Sequence, residues 1–265
     1  MRIDLDGIAI NYEREGSGTP LVLTHGLGDD LHFWDNLVPD LVRHHSVIRW
    51  DVRGFGLSDK PPGPYTPALL AADLAALLER LEIPAAHVAG LSMGGVIAQR
   101  LALDYPARVR SLILLSTSSE VGPRNTAAWQ RLADRIEQRG FSEGASDASR
   151  AFAPGFAAAH PDIVAAAGER TARNDPRGYA AGARAMSDYN WTADLPRLRA
   201  PVLILQGAAD QLTPPGGSVK MLRTLPAARL LMIPEAGHSL SLEQPALIGT
   251  ALLAFTGGVD ACHNL

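Results

Sequence analysis

Cysteine is almost missing from this chain. The single residue, Cys262, excludes an internal disulfide and fits a reducing compartment. Lysine is nearly as scarce: only Lys60 and Lys220 stand among 24 cationic side chains, against 28 acidic ones, for a net charge of −4. The arginines are scattered, so there is no basic footprint for nucleic acid or an anionic membrane. No apolar run approaches the roughly 18 residues of a membrane span, and Met1–Asp6 has no signal-peptide pattern. The expected location is the cytoplasm. There is no H-x-x-x-H, no cysteine pair and no acidic cluster, so no metal is expected. Asp51-Val52-Arg53-Gly54-Phe55-Gly56-Leu57-Ser58-Asp59 carries two glycines but completes no G-x-G-x-x-G after a strand, which excludes a nicotinamide or flavin loop. No cofactor is expected.

What is present is the composition of a folded domain. Of the 265 residues, 46% are apolar and 20% charged, too hydrophobic for disorder and long enough to bury a core unaided. Short β-branched or leucine-rich runs, several of them apolar throughout, recur at Leu21–Thr24, Val47–Trp50, His87–Ala89, Leu112–Leu115, Val202–Leu205 and Leu230–Ile233, and Ile8–Arg14 alternates like an edge strand. Helical stretches separate them: Pro67–Leu81 with a leucine stripe, Met93–Tyr105 stopped by Pro106, and Pro245–Phe255. This alternation predicts βαβ units, hence an α/β fold with a mostly parallel central sheet covered by helices on both faces. Between Glu120 and Asn190 the strand signals vanish, leaving helical patterns at Thr126–Arg139, Asp162–Arg173 and Gly178–Asp188. One crossover helix needs far fewer residues. The expected organisation is therefore a core of residues 1–119 and 191–265 with a helical cap inserted at 120–190. The tail Gly257–Leu265 has weak signals and is expected to fray.

The chemistry concentrates in Gly90-Leu91-Ser92-Met93-Gly94, which lies between a strand run and a helical run. That is the setting of a nucleophile elbow. The turn is so tight that its flanks must be small, and it presents the serine hydroxyl at a helix N-terminus, where negative charge is favoured. The alternative is a glycine-rich turn with an incidental serine. A serine hydroxyl needs a base. His238, in Pro234-Glu235-Ala236-Gly237-His238 after the last strand run, is the candidate among eight histidines. His44, His45 and His160 sit in polar stretches and are expected to face solvent. The base needs an acid to set its tautomer. Asp210 follows the strand Val202–Leu205, and the order Ser92, Asp210, His238 is the order of that hydrolase architecture. The rival place, after Leu112–Leu115, holds Ser116-Thr117-Ser118-Ser119 and no carboxylate. The N–H groups of Met93 and of Leu27, in His25-Gly26-Leu27-Gly28, are the candidate oxyanion hole, with His25 bracing that loop. Trp34, Trp129, Phe152, Phe156 and Trp191 are candidate substrate walls, each with core packing as its alternative. Arg124, Arg131 and Arg184 read as solvated cap surface or as partners for a carboxylate.

Taken together, His25-Gly26, Asp51-Val52-Arg53-Gly54, Gly90–Gly95, Asp210 and Gly237-His238 resemble the α/β-hydrolase superfamily over nearly the whole chain. Within it, the cap segments Phe152-Ala153-Pro154-Gly155-Phe156, Ala159-His160-Pro161 and Asn174-Asp175-Pro176-Arg177-Gly178-Tyr179 look most like the 3-oxoadipate enol-lactonase and carboxylesterase group. The resemblance implies a cofactor-free serine hydrolase, a carboxylic ester hydrolase or lactonase acting on a small ester or lactone through an acyl-enzyme. An acyl-homoserine lactone hydrolase is the alternative. A slow-turnover signal receptor on the same scaffold is the alternative of another class. Nucleic-acid and membrane partners are not expected, and the oligomeric state stays open.

Overall fold

The structure is a computed structural model, and it describes residues 1–141 and 148–263. Among the described residues, eight strands form one sheet: β1 (Arg2–Asp4), β2 (Ala9–Glu15), β3 (Thr19–Thr24), β4 (His45–Trp50), β5 (Ala86–Leu91), β6 (Val109–Leu115), β7 (Val202–Gly207) and β8 (Ala228–Ile233). Their spatial order is β1-β2-β4-β3-β5-β6-β7-β8. From β4 to β8 every pairing is parallel, while β1 and β2 add on antiparallel. Ile8–Arg14 was expected at the edge, but the three-residue β1, too short to show a period, covers it.

The helices are α1 (Val38–Leu41), α2 (Pro67–Arg80), α3 (Met93–Asp104), α4 (Pro123–Arg139), α5 (Pro154–Ala159), α6 (Pro161–Ala172), α7 (Pro176–Ala185), α8 (Gly216–Thr224), α9 (Leu240–Glu243) and α10 (Pro245–His263). Side chains alternate across a strand, so the two faces of the sheet feed two cores. Val22, Ile48, Val88, Leu112 and Ile204 face one with α2 and α3; Leu21, Leu23, Ala89, Ile113 and Leu205 face the other with Phe33, Leu41, Ile248 and Leu252. Both faces are covered, which is why runs such as Leu112–Leu115 and Val202–Leu205 are apolar throughout. Helices α4–α7 form the cap, inserted between β6 and β7.

The C-terminal helix corrects two expectations. It continues to His263 rather than fraying at Gly257, because Val259 is buried and Asp260 accepts from His87 Nε2 at 3.1 Å and Arg110 at 3.1 Å. Residues 264–265 lie outside the described part. Its segment Pro245–Cys262 has the length and composition of a membrane span, but Ile248, Leu252, Thr256 and Val259 are buried against the core. His45 was expected at the surface and is 3% exposed. It is a β4 residue, its Nδ1 bonded to Thr19 O at 3.1 Å and its Nε2 to Thr256 Oγ1 at 2.8 Å. With His87 and Asp260 it makes a buried polar cluster at the start of the strands, the end opposite the loops described next.

Candidate active site

Parallel strands place the loops that follow them at one edge of the sheet. Gly26–Gly28 follows β3, Asp51 follows β4, Ser92 follows β5, Asp210 follows β7 and His238 follows β8. The geometry of each loop is dictated locally. A Cβ on Gly90 would lie 2.2 Å from Gly94 O, and one on Gly94 would lie 2.2 Å from Thr24 O. Only glycine lets β5, α3 and β3 approach this closely. The crossing leaves Ser92 at φ 51° and ψ −114°, a conformation costing about 1–3 kcal/mol that only the surrounding structure can hold. Three hydrogen bonds hold it: Ser92 N donates to Leu115 O at 2.9 Å, and Ser92 O accepts from Val96 N at 3.0 Å and from Thr117 Oγ1 at 2.9 Å.

His238 Nδ1 lies 2.9 Å from Asp210 Oδ2. Asp210 cannot donate when ionised, so Nδ1 carries the hydrogen and Nε2 is left with its lone pair. Asp210 is buried, and burial pushes its carboxyl up; the hydrogen bonds from His238, Thr213 N and Leu212 N outweigh this and hold it below the usual carboxylate range. Leu212 N and Thr213 N both donate to Oδ1 at 2.8 Å. Gln206 Nε2 donates to Oδ2 at 3.3 Å. Every lone-pair direction of this carboxylate is therefore used. The Ser92 hydroxyl has no hydrogen-bond partner among the described residues, His238 included. Both side chains nonetheless line one cavity of about 290 Å3. In unliganded sites such contacts are often loose and tighten around substrate.

The N–H groups of Leu27 and Met93 have no protein acceptor among the described residues. The loop bearing Leu27 is braced from both sides. His25 Nδ1 lies 2.7 Å from Gly26 O, and Val52 N donates to His25 Nε2 at 3.0 Å. From the cap, Asn174 Nδ2 donates to Gly28 O at 2.7 Å. Asp29 is pushed up by burial and drawn back by Arg170, whose Nη1 is 3.4 Å from Asp29 Oδ1.

Two cavities meet at Ser92, with Leu27, Trp129, Leu212 and Thr213 bordering both. The first, of about 300 Å3, adds Met93, Val96, Met186, Tyr189 and the ion pair of Glu120 with Lys220, 2.5 Å apart. The second adds His238, Tyr179, Arg135 and Arg150. Of the aromatic side chains expected to wall the substrate, Trp129 borders these cavities and four do not. Trp34 is fully buried beneath the sheet with Phe33. Trp191 is buried, stacks on Tyr189 and donates to Gln99 Oε1 at 3.1 Å. Phe152 and Phe156 stack on each other with centroids 5.6 Å apart. Apolarity marked them as inward-facing; Trp34, Phe152 and Trp191 are buried in the protein interior, and Phe156 is half-buried against Phe152. Arg184 pairs with Asp134 and Glu137, and Arg124 and Arg131 are exposed. The cavity arginines, Arg135 and Arg150, carry no local signal that separates them from the other cap arginines.

These features have a shared origin. The alpha/beta hydrolase fold family profile matches residues 19–245, and the chain belongs to that family. It is similar to 3-oxoadipate enol-lactonase 2 of Acinetobacter baylyi, at 32% identity over 93% of this chain and 92% of that protein. Among solved structures it resembles a thermophilic esterase from Thermogutta terrifontis (TM-score 0.91, 31% identity, 98% of this chain and 99% of that one). It also resembles the enol-lactonase from Burkholderia xenovorans (TM-score 0.92, 26% identity, 97% and 100%). Within the family the chain is thus closely related to the enol-lactonase and carboxylesterase type.

Proposed function

We propose that the protein is a serine hydrolase that opens small carboxylic esters and lactones through an acyl-enzyme on Ser92. The observation that carries this is the pairing of a serine held at φ 51° beside free helix-terminal N–H groups with an imidazole whose far nitrogen is bonded to a buried carboxylate across 2.9 Å. Ser92 attacks the carbonyl while His238 Nε2 takes its proton. Asp210 keeps the hydrogen on Nδ1 and stabilises the imidazolium. The N–H groups of Leu27 and Met93 receive the oxyanion, each worth about 2.7–4 kcal/mol to the transition state. The imidazolium then protonates the departing alkoxide, which in a lactone remains tethered to the acyl group. Water, deprotonated by His238, releases the acid.

The protonation step assigns the two arms. The leaving oxygen must lie beside His238, so the arm with His238 takes the alcohol side and the arm with Met93 takes the acyl side. Arg135 and Arg150 border the alcohol arm. Charge-assisted contacts of this kind favour a lactone carrying a carboxylate. Cavities near 300 Å3 suit a small substrate. A panel of p-nitrophenyl acetate, p-nitrophenyl butyrate, neutral lactones of short and long acyl chain, and an acidic enol-lactone tests this reading. Rapid multiple turnover with preference for the short or acidic lactones is expected, together with a folded but inactive Ser92→Ala variant. A single burst followed by stalling, or turnover near wild type in Ser92→Ala, would overturn it.

A further inference from the structure

Three buried carboxylates among the described residues are left unused by this chemistry, Asp51, Asp73 and Glu243, and the last lies beside the His238 loop. Glu243, at the end of α9, is 6% exposed and pairs with no lysine or arginine among the described residues. A buried charge without such a partner persists only where hydrogen bonds compensate it. Here they come from backbone alone. Gly237 N donates to Oε1 at 2.9 Å and to Oε2 at 3.0 Å, and Ala153 N donates to Oε2 at 3.0 Å. Gly237 is the residue before His238; Ala153 belongs to the cap. The same two segments are joined again where Ala151 O accepts from His238 N at 3.1 Å and from Ser239 N at 2.8 Å. They touch without clearance: a Cβ on Gly237 would lie 2.4 Å from Ala153 N and 2.5 Å from Phe152 C. The stacked Phe152–Phe156 pair fills the cap side of this seam. Burial outweighs the two N–H groups that lower it and holds the Glu243 carboxyl above the usual carboxylate range; of the charged groups acting on it, Asp210 raises it and His238 lowers it. Both protein donors point at the oxygens, an arrangement that suits the ionised form.

We propose that Glu243 is a positioning residue for His238: its carboxylate rivets the imidazole-bearing loop to the cap segment Ala151–Ala153, so that the cap sets where the base stands over Ser92. The inference rests on the reading of His238 as the base. A carboxylate is the side chain that suits the place, because both of its oxygens accept. Glutamine offers one acceptor and turns an N–H2 group towards the second donor; alanine leaves two buried amides unpaired. Displacing a reacting group by about 1 Å costs about 10²-fold in rate, and that is the loss expected in kcat for Glu243→Ala, with KM within about twofold of wild type. Glu243→Gln falls between, and it carries the test if the alanine variant does not fold.

Sites are counted by stoichiometric fluorophosphonate labelling, and kcat per site is compared on ethyl butyrate and p-nitrophenyl butyrate. Ethoxide needs the proton from His238 to leave, whereas p-nitrophenolate leaves without it. A misplaced imidazole therefore lowers turnover of the ethyl ester more than that of the nitrophenyl ester. A change confined to folding would leave kcat per labelled site unchanged on both. The expected result is a graded loss in kcat per site, glutamine then alanine, larger for the ethyl ester. Unchanged kcat per site in the folded variants, or identical losses on the two esters, would overturn the inference. Failure of the underlying reading shows separately, as activity retained in Ser92→Ala.

Discussion

Replacing Asp210 by asparagine should silence the enzyme while sparing its fold, and the hydrogen bonds say why. Oδ1 accepts from both Leu212 N and Thr213 N at 2.8 Å, so the amide oxygen of an asparagine has one sensible place, between those two donors. Its N–H2 group then replaces Oδ2 and faces His238 Nδ1. Two donors cannot share that 2.9 Å contact, so His238 must move its hydrogen to Nε2. The nitrogen that should take the Ser92 proton then carries one. In serine triads with a known aspartate-to-asparagine change, kcat falls about 10⁴-fold, which corresponds to about 5.5 kcal/mol of transition-state stabilisation. The cost in stability is far smaller. The two bonds to Oδ1 survive, and the main loss is the 3.3 Å contact from Gln206 Nε2, about 1 kcal/mol. The assay is kcat for p-nitrophenyl acetate per fluorophosphonate-labelled site, beside a thermal melt of the same sample. A fall of less than about tenfold, with the melt unchanged, would refute the tautomer argument. Collapse of the fold would show that Oδ2 carries more than is assigned to it here.

Other outcomes follow from the same geometry. Ser92→Gly removes the side chain from a residue at φ 51°; it should abolish turnover and raise stability by about 1 kcal/mol, read by urea unfolding. Trp129→Ala should join the two cavities that meet at Ser92 and shift the kcat/KM preference of p-nitrophenyl esters towards longer acyl chains. His87 predicts the acid behaviour of the fold. Burial lowers its pKa from 6.5 to about 4, so the unfolded chain binds the proton first. This stabilisation is complete above pH 6.5 and is lost as pH falls towards about 4, amounting to about 3 kcal/mol for a side chain with 0% exposure. The free energy of urea unfolding should therefore drop over that window, and a folded His87→Gln variant should show a flatter profile; an equal slope in both proteins would remove His87 as the cause.

Most of the architecture was readable from local pattern. Unbroken apolar runs at Leu112–Leu115 and Val202–Leu205 announced strands buried on both faces, and the crowding of small residues around Ser92 announced a turn that admits nothing larger. Those signals are legible because strand burial and tight turns constrain neighbours in sequence. The chain order of Ser92, Asp210 and His238 was legible for a related reason: each ends a strand run, and parallel strands deliver such ends to one edge.

What only the tertiary structure decided depends on which distant surfaces meet. Trp34, Phe152, Phe156 and Trp191 look no different from Trp129 in the sequence, yet four of them pack away from the cavities and one borders both. His45, in a polar stretch, proved buried because α10 runs over it, and α10 itself stays helical past Gly257 because Asp260 finds His87 and Arg110 across the sheet. The burial of Glu243 against Gly237 and Ala153 has no sequence signature either, since its donors are backbone amides 6 and 90 residues away. Periodicity and turn chemistry are written along the chain. The partners that fill a pocket, bury a histidine or neutralise a carboxylate are selected by packing between segments far apart in the chain.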